Sequence, residues 1–332
     1  SKTILRSLWK EVLEEEQAGQ PASPDEAVAL AEGVLGKYFH KGLSLIRYNK
    51  GFWYYAGTHW KKITDERIGH YLEELAPHYL KSNKGIATLI AQGLKILTVR
   101  VNKDNEIDLY YLQSEPPLIL NTLSGEIEFN ETGEFTVKPH NPDNLLRHCA
   151  PITYLPKASC PRFMQMLKDI FRDSEDTEGM IRHICEVLAY LCFPWRGYAF
   201  TLIFLGGGAN GKTSIANFIP KIIGYDAVMS CRIQDVESDK FLLGALADKL
   251  VVLDDDVSAG IVTPDGTLKK ISESKPMKGE RKFQDSFEYI CRAAPVLLCN
   301  NPPIVRDFTH GWERRAMIIP FNRRFERTEI IP

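Results

Sequence analysis

The stretch TLIFLGGGANGKTS, residues 201–214, joins an apolar segment to a glycine-rich loop, and it limits the possible folds more than any other part of the sequence. From Gly206 to Gly211 the glycines spell G-x-G-x-x-G, which is typical of dinucleotide sites. Together with Lys212 and Thr213 they also spell G-x-x-x-x-G-K-[ST], which is typical of triphosphate sites. The apolar strand before the loop suits both motifs, and both predict an α/β fold.

Lys212 and Thr213 favour the triphosphate. Such a site needs a lysine that reaches the β- and γ-phosphates and a hydroxyl on Mg²⁺, and these two residues fill both positions. Lys212 is expected to lie on a surface loop without a role in the core. Backbone N–H groups of the loop are expected to bind the phosphates. The candidate ATP-binding residues are Gly206, Gly207, Gly208, Ala209, Asn210, Gly211, Lys212, Thr213 and Ser214.

Three acids follow a second apolar segment, in the stretch DKLVVLDDDVSAG. Asp254 and Asp255 come directly after the apolar residues, where ATPases carry acids that hold Mg²⁺ and polarise water. Adjacent carboxylates repel one another unless a cation or donors offset their charge, which favours a metal site over a solvated turn. The sequence therefore predicts Asp254 and Asp255 as catalytic acids, and Thr213 and Asp254 as Mg²⁺ ligands. Asp256 is compatible with a solvated turn alone.

Composition and charge exclude several classes of protein. The chain has 332 residues, 44% of them hydrophobic and 25% charged, as in ordinary globular proteins. Its longest apolar run, YAFTLIFL, is too short to span a bilayer, and its first residues do not form a signal peptide. The seven cysteines include no C-x-x-C pair, so a reduced cytoplasmic protein without structural zinc is expected. The net charge is −2, but basic residues outnumber acidic ones over 263–332, which is compatible with an anionic ligand or an ordinary surface.

Periodicity and turn residues predict the elements around the loop. In chain order they are an amphipathic helix over 4–13, a helix capped by Ser23, a hairpin turning at 56–58, helical pieces to about Leu97, a β-meander over 118–140, helices in PRFMQMLKDIF and GMIRHICEVLAYLC, and a helix after the loop with Ile215, Phe218, Ile219 and Ile222 on one face and a kink at Pro220. The segments AFTLIFL, KLVVL and APVLLC are near-continuous apolar strands, as in a parallel sheet covered on both faces. We predict an α+β accessory domain over 1–150, a helical connector or oligomerisation segment over 151–197, and an ATPase domain over 198–332.

Two other groups of residues allow alternative interpretations. The aromatic residues from Phe52 to Trp60 could stack on exposed bases, or fill a small β core, and the core is favoured. The pairs His148-Cys149 and His183-x-Cys185 could bind a metal, but neither has a partner pair at zinc spacing. Packing is therefore the preferred interpretation of both pairs.

The order GGGANGKTS, KLVVLDDD, LLCNNPP and WERRAMIIPF resembles that of superfamily 3 helicases, which are ring-forming AAA+ ATPases of viruses, phages and plasmids. In particular it resembles the helicase portions of poxvirus-type and satellite-phage primase–helicases, over residues 50–325. The resemblance implies a P-loop AAA+ core, with Lys212 and Thr213 at the phosphates and Asp254 and Asp255 as the acidic pair. It also implies Asn300 as a polar sensor beside the γ-phosphate. Arg314 is implied as a catalytic arginine that reaches the ATP of a neighbouring subunit, with Arg315 as the alternative.

The segment LKKISESKPMKGERKFQDSFEYI lies between the acids and Asn300. The resemblance implies a helix and then a hairpin whose tip grips DNA in a central channel. Its DNA-binding candidates are Lys278, Arg281, Lys282 and Phe283, because cations beside an aromatic ring can contact phosphates while the ring stacks. An exposed charged hairpin is the alternative. Where the family tends to carry Gly-Gly-Asp, this chain has Glu273-Ser274-Lys275.

The resemblance implies an ATP- and Mg²⁺-dependent DNA helicase that translocates on single-stranded and forked DNA as a hexameric ring. Its setting would be phage, plasmid or mobile-element replication in the host cytoplasm. A replication-initiator ATPase that assembles on DNA without processive unwinding is one alternative, and a nucleotide-stabilised scaffold is another. The chain is expected to be a fragment of a longer protein, with a primase or polymerase module upstream and further helices downstream.

Overall fold

A computed structural model describes residues 32–39, 44–48, 51–64, 67, 70–71, 74, 100–101, 115–257, 265–281, 286–303 and 310–326. The chain forms two compact units, Ser1–Leu109 and Tyr110–Pro332. Their division falls before the predicted β-meander, whereas the sequence predicted a domain boundary at 150. The predicted helices over 4–13 and after Ser23, and most of the predicted helical pieces before Leu97, lie outside the described residues.

The first unit contains a small sheet preceded by a helical stretch at 32–38. Its strands are β1 (Leu45–Tyr48), β2 (Gly51–Tyr55), β3 (Trp60–Lys62) and β4 (Arg100–Val101), in the order β3-β2-β1-β4. The predicted turn at 56–58 is confirmed, because the Ala56 N–H donates to the His59 carbonyl at 2.9 Å and Gly57 has φ +86°. Phe52, Trp53 and Trp60 are buried, so these aromatic residues fill the core of the sheet.

The second unit begins with the predicted β-meander. Its antiparallel strands are β5 (Ile119–Thr122), β6 (Gly125–Phe129) and β7 (Phe135–Lys138). Gly125 makes the tight turn between the first two strands, with φ +138°, and a Cβ there would lie 2.5 Å from the Lys138 carbonyl oxygen. A short 3₁₀ helix follows at Pro142–Asn144.

Two amphipathic helices come next, as predicted. Helix α1 (Pro161–Ile170) has proline in its first turn, where the missing N–H costs no hydrogen bond. Helix α2 (Thr177–Leu191) is capped by the Asp176 side chain, which accepts from the Gly179 N–H at 2.8 Å. Their apolar faces share one core with the strands of the central sheet. Within the described residues, no helix combines the length and the apolar character needed to cross a membrane.

The remaining elements are the five strands of the central parallel sheet, the two strands of a separate hairpin, and the helices that connect them. In chain order they are β8 (Thr201–Leu205), α3 (Lys212–Ala216), α4 (Ile219–Ile223), a 3₁₀ turn at Tyr225–Ala227, β9 (Val228–Ser230), α5 (Ile233–Ser238), α6 (Lys240–Leu246), β10 (Val251–Val257), α7 (Asp265–Ser272), β11 (Pro276–Gly279), β12 (Phe287–Ile290), β13 (Ala294–Cys299), α8 (His310–Glu313) and β14 (Ala316–Pro320). The sheet has the order β14-β8-β13-β10-β9. The predicted α/β class is confirmed: a P-loop core with a parallel sheet follows an α+β region.

Strand order decides which side chains can meet. All neighbouring strands of the central sheet are parallel. Their carboxyl ends therefore lie along one edge, here called the carboxyl edge, and their amino ends lie along the opposite amino edge. The phosphate loop leaves β8 at the carboxyl edge, and β13 separates β8 from the acid-bearing β10.

The helix after the phosphate loop is interrupted rather than kinked. The sequence predicted one helix bent at Pro220, whereas α3 ends at Ala216 and α4 begins at Ile219, with the proline in the first turn of α4. A proline inside a helix removes one hydrogen bond and clashes with the preceding turn, but it fits the first turn without either cost. Ile215 and Ile219 are still fully buried, so both short helices face the same core.

Candidate active site

A cavity of about 640 Å³ lies at the carboxyl edge of the sheet, and its volume suits a ligand of nucleotide size. It brings together residues that are far apart in the sequence. The lining residues are Met166, Ile170, Gly208, Ala209, Asn210, Gly211, Lys212, Thr213, Ser214, Asp255, Asp256, Leu298, Asn300 and Phe325. The phosphate-loop candidates from Gly208 onward, one of the two predicted acids and the predicted sensor therefore share one cavity.

The loop backbone has the curvature that anion binding requires. Gly208, Ala209 and Gly211 have φ values of +93°, +48° and +89°, so the chain turns repeatedly through the left-handed region. A Cβ on Gly211 would lie 2.6 Å from Ile170 Cγ1, so the loop packs too closely on α1 for any side chain there. Turns of this kind arrange backbone N–H groups around a concave site for an anion.

Lys212 is held at the centre of this loop. Its ammonium group donates to the Gly206 carbonyl, to Asn210 Oδ1 at 3.2 Å and to Asn300 Oδ1 at 3.3 Å. Only 5% of the residue is exposed, and burial lowers the pKa of the ammonium group. The expectation of a surface lysine was therefore wrong. The contact with Asn300 places the predicted sensor beside the phosphate-loop lysine.

The three consecutive acids have different surroundings. Asp254 is 2% exposed, and its carboxylate accepts from the Ile233 N–H at 2.9 Å and the Asp256 N–H at 3.3 Å. Burial raises the pKa of Asp254, although the two amide donors oppose that shift. Asp255 and Asp256 line the cavity instead.

A shift in the strand pairing explains how two consecutive acids can face the same cavity. The pairing of β10 with β13 loses its regular register between Asp254 and Val257, so the usual alternation of faces does not hold there. Asp256, which the sequence left as a solvated turn, therefore joins the candidate site. The signal for it was the run of three acids itself, whose mutual repulsion needs a cation. Metal binding by Asp254 stays a prediction.

The oxygen donors of the cavity suit Mg²⁺. Thr213 supplies a hydroxyl, and Asp255 and Asp256 supply carboxylates. Magnesium keeps several waters and takes few protein ligands when a substrate phosphate completes its shell, so this donor set fits. Among the described residues, no group of three or more His, Cys, Asp or Glu side chains forms a metal site. The pairs at 148–149 and 183–185 therefore belong to no such group.

One wall of the cavity is apolar and was not predicted. Met166 and Ile170 come from α1, and Phe325 comes from the segment after β14. The Phe325 N–H donates to the Ala209 carbonyl at 2.7 Å, which ties this segment to the phosphate loop. The Arg323 guanidinium lies 4.2 Å from the centre of the Phe325 ring. An aromatic ring beside a triphosphate site offers a surface for the nucleobase.

Arg314 and Arg315 lie at the amino edge, away from this cavity. The Arg315 carbonyl accepts from the N–H of Thr201, the first residue of β8, at 2.7 Å. The five residues of β8 extend about 16 Å from there to the phosphate loop. Arg314 is therefore too far along the sheet to reach the phosphate loop of its own chain.

The two adjacent arginines differ in exposure. The Arg314 side chain is 72% exposed and lies 3.7 Å from Glu273 Oε1, whereas Arg315 is 5% exposed. Arg315 Nε donates to Glu273 Oε1 at 2.6 Å, and a second guanidinium nitrogen contacts the same oxygen. Lys275 and then Arg315 hold the pKa of Glu273 below its usual value. Arg314 is therefore the arginine that can approach another molecule.

The predicted helix and hairpin between the acids and Asn300 are present as α7, β11 and β12. Ser274 has φ +50°, at the place where the family tends to carry glycine. Lys278 is exposed on β11 and pairs across the hairpin with Glu288. Lys282 and Phe283 lie outside the described residues.

Arg281 does not fit its predicted role in DNA binding. One of its guanidinium nitrogens donates to Asp248 Oδ2 at 2.7 Å, and the group lies 4.8 Å from the centre of the Phe287 ring. Its side chain is only 15% exposed. Arg281 is therefore part of the support of the hairpin, which sequence spacing could not show because Asp248 lies 33 residues earlier.

Family models match two parts of the chain. Residues 33–172 match the family described as D5 N terminal like, and residues 204–315 match a family of unknown function, DUF5906. The first match agrees with the resemblance to superfamily 3 helicases of the primase–helicase type that the motifs indicate.

The chain is also similar to solved structures at low identity. The apo A form of the NrS-1 C-terminal region is 15% identical with a TM-score of 0.48, over 88% of this chain and 61% of that one. A second structure of that region is 15% identical with a TM-score of 0.46, over 90% and 62%. JCV helicase with a bound acetamide compound is 16% identical with a TM-score of 0.34, over 50% and 46%. The chain spans about three fifths of the length of the NrS-1 structures.

Proposed function

We propose, from the family resemblance and the geometry of the cavity, that this chain is the helicase portion of a replication protein from a phage, plasmid or mobile element. It hydrolyses ATP with Mg²⁺ and uses the energy to translocate on single-stranded DNA as a hexameric ring. The observation that carries the proposal is the cavity itself. The phosphate loop, Asp255, Asp256 and Asn300 line one space of nucleotide size.

Each residue of the cavity has a separate role in hydrolysis. The curved loop holds the phosphates through its backbone N–H groups, and Lys212 exchanges its contact with the Gly206 carbonyl for a phosphate oxygen. Asn300 orients both this lysine and the attacking water. Asp255 polarises the water. Thr213 and Asp256 would hold Mg²⁺, because Asp256 lines the cavity whereas the predicted ligand Asp254 is buried beside it. Bound Mg²⁺ neutralises charge that develops on the phosphates.

The opposite edges of the sheet imply that two chains build one complete site. The nucleotide lies at the carboxyl edge of one chain, and Arg314 projects from the amino edge of the next. Contacts between two unlike faces generate a ring when the rotation closes. The arginine then stabilises charge on the γ-phosphate of its neighbour, which is worth roughly 10³ to 10⁵ in turnover.

The hairpin of β11 and β12 supplies the DNA contact in this proposal. It immediately precedes β13 in the chain, so its base lies at the amino edge of the sheet. Lys278 is exposed there and can contact a phosphate of the DNA backbone.

The test is a strand-displacement assay on tailed duplexes together with ATPase assays with and without single-stranded DNA. Helicase function requires ATP-dependent displacement and ATPase activity that DNA increases. If DNA increases the ATPase activity but no strand is displaced, the protein is an initiator ATPase instead. An ATPase rate that is the same with and without single-stranded DNA indicates a nucleotide-stabilised scaffold.

Two lysine variants control the assay. Lys212→Ala removes the phosphate-loop ammonium group, whereas Lys221→Ala removes an exposed lysine of α4. Activity should disappear in the first variant and persist in the second. Because Lys212 is buried, circular dichroism must show that its variant is folded. Normal turnover by a folded Lys212→Ala protein contradicts the proposal.

A further inference from the structure

The chain crosses the phosphate loop directly after β14. The residues that cross it, 321–325, are here called the crossing segment. At its start the Phe321 N–H donates to the Leu205 carbonyl at 2.7 Å, and at its end the Phe325 N–H donates to the Ala209 carbonyl at 2.7 Å. Both ends of the crossing segment are therefore attached to the chain that forms the phosphate site.

The start of the crossing segment is in close contact with the loop and with the core. A Cβ on Gly206 would collide with the Phe321 carbonyl oxygen and with the Asn210 amide nitrogen. The Phe321 ring is buried, and its centre lies 5.3 Å from that of Phe171 and 5.2 Å from that of Phe204. The position of the crossing segment relative to the loop is therefore fixed where the segment begins.

Arg323 connects the other end of the crossing segment to α1. Its Nη1 donates to the Asp169 carbonyl at 2.5 Å, and its guanidinium lies over the Phe325 ring, 4.2 Å from the centre. Asp169 is in the last turn of α1, where helix carbonyls lack intrahelical partners and favour a cation. Because Arg323 is only 5% exposed, little water competes for these contacts.

The same two parts of the chain supply the apolar wall of the cavity. Ile170 follows Asp169 in α1 and packs against Gly211 of the phosphate loop, and Phe325 ends the crossing segment. Asp169 and Arg323 are 154 residues apart in the sequence. One guanidinium group therefore contacts both of the distant segments from which the wall is built.

The side chains of the wall suit one part of a nucleotide only. Met166, Ile170 and Phe325 offer dispersion and stacking contacts, which a flat nucleobase can use. They carry no hydrogen-bond donor and no positive charge for a phosphate. The wall should therefore contribute to binding of the base, while the loop and Lys212 bind the phosphates.

We propose that Arg323 is a positioning residue that holds the apolar wall in place for the nucleobase, so that removing it weakens binding of the base but not of the phosphates. The ligand is a nucleoside diphosphate or triphosphate whose base lies against Phe325. The inference deepens the proposed function and rests on its nucleotide site alone, because it requires neither DNA nor a ring of subunits.

Two ligands that share a diphosphate and differ by the nucleoside test this division of roles. By isothermal titration calorimetry, we expect Arg323→Ala to bind MgADP at least about threefold more weakly than the wild type. Its affinity for magnesium pyrophosphate should be unchanged. In steady-state assays the KM for ATP should rise while kcat changes by less than about twofold. Arg324→Ala is the control, because Arg324 is adjacent but exposed, and it should match the wild type throughout.

Each outcome bears on the inference directly. Equal weakening of both ligands in a folded Arg323→Ala protein overturns the positioning role, because general loosening of the site acts on the phosphates too. Unchanged MgADP affinity also overturns it. If Arg323→Ala does not fold, Arg323→Lys keeps the charge but loses the planar guanidinium, and it should weaken MgADP binding in the same direction. Unchanged MgADP affinity in that variant is equally decisive against the inference.

The wild-type protein separates this inference from the proposed function. If it binds neither MgADP nor magnesium pyrophosphate, the nucleotide site itself is contradicted. If it binds the two ligands with equal affinity, the phosphate site stands, but the wall does not bind the base and the role of Arg323 is overturned.

Discussion

Asp254 and Asp255 are adjacent, yet their carboxylates have opposite surroundings. Asp254 is buried and accepts from two backbone amides, whereas Asp255 is exposed to the cavity. We expect Asp254→Ala to lower the free energy of unfolding by about 1–3 kcal/mol, because it leaves a buried amide without its acceptor. Asp255→Ala should change that free energy by less than about 0.5 kcal/mol but should reduce ATP turnover.

Urea denaturation and steady-state ATPase assays on both variants distinguish these roles. If Asp255→Ala is as destabilising as Asp254→Ala, the two carboxylates do not have the separate functions that their surroundings indicate. ATP binding should survive in Asp255→Asn, because the loop supplies most of the phosphate contacts. A complete loss of nucleotide binding in that variant contradicts this division.

Phe325 leads to a second prediction at the residue scale. Its ring lines the cavity beside the phosphate loop, and the Arg323 guanidinium lies 4.2 Å from the centre of the ring. Stacking of a base on an aromatic ring is worth about 1–3 kcal/mol. We therefore expect Phe325→Ala to weaken ATP binding by about fivefold or more with little change in kcat. Phe135→Ala, on the exposed strand β7, is the control. Equal ATP affinities by fluorescence titration would place the base elsewhere.

The sequence predicted those site residues that belong to compact motifs. Lys212 and Thr213 are recognisable because a triphosphate loop needs both side chains at fixed spacing after a strand. Phe325 belongs to no motif, and it reaches the cavity only because the segment after β14 crosses the loop at Ala209. The burial of Lys212 also depends on Asn300, which is 88 residues away. Contacts of this kind are products of the folded sheet and leave no local pattern.

At the scale of elements, Glu273 connects the end of α7 to the start of β14. Its ion pair with Arg315 is buried, whereas its contact with Arg314 is exposed and longer. Breaking a buried pair by removing one partner costs about 3–5 kcal/mol. Glu273 keeps its ion pair with Lys275 in Arg315→Ala. We therefore expect this variant to lose less than that, about 1–3 kcal/mol of the free energy of unfolding, and to have reduced activity through instability. Arg314→Ala should remain as stable as the wild type, within about 1 kcal/mol.

Thermal unfolding and ATP titration of the two arginine variants check this assignment. Arg314→Ala should also bind ATP normally, because the residue lies at the opposite edge of the sheet from the cavity. A stable Arg315→Ala protein that binds but does not hydrolyse ATP would reverse the roles of the two arginines.

Most elements of the second unit follow from apolar periodicity, and the exceptions have physical causes. The β-meander, α1, α2 and three strands of the parallel sheet, β8, β10 and β13, are present where the sequence predicted them, whereas β9 and β14 were not predicted. The helix after the loop is divided because Pro220 is tolerated only in a first turn. The structural partner of Arg281 was not predicted, because a basic residue on a hairpin looks the same in sequence whether it faces DNA or pairs with a carboxylate of its own chain. Only the position of Asp248 distinguishes the two cases.

At the scale of the whole molecule, we expect two inactive variants to restore each other. Arg314→Ala keeps an intact phosphate loop, and Lys212→Ala keeps an intact Arg314. In an equimolar ring about a quarter of the interfaces pair the intact loop with the intact arginine. ATPase activity of the mixture should therefore return in part, while each variant alone stays inactive.

This experiment needs an independent measure of assembly. Analytical ultracentrifugation of the mixture with a labelled copy of one variant shows whether mixed rings form. If mixed rings form and remain inactive, Arg314 does not act on a neighbouring chain. The matching control mixes two variants that share the Lys212→Ala change, in which no interface can be complete.

The separation of the nucleotide cavity from Arg314 also affects how activity depends on concentration. On the proposed function, a single chain binds ATP at one edge of its sheet but has Arg314 at the other, so dilution should leave nucleotide binding intact while hydrolysis per chain falls. Specific activity should therefore rise steeply with protein concentration until assembly is complete. On the proposed function, dilute chains would then consume no ATP, and the amount of protein would set the point at which hydrolysis begins.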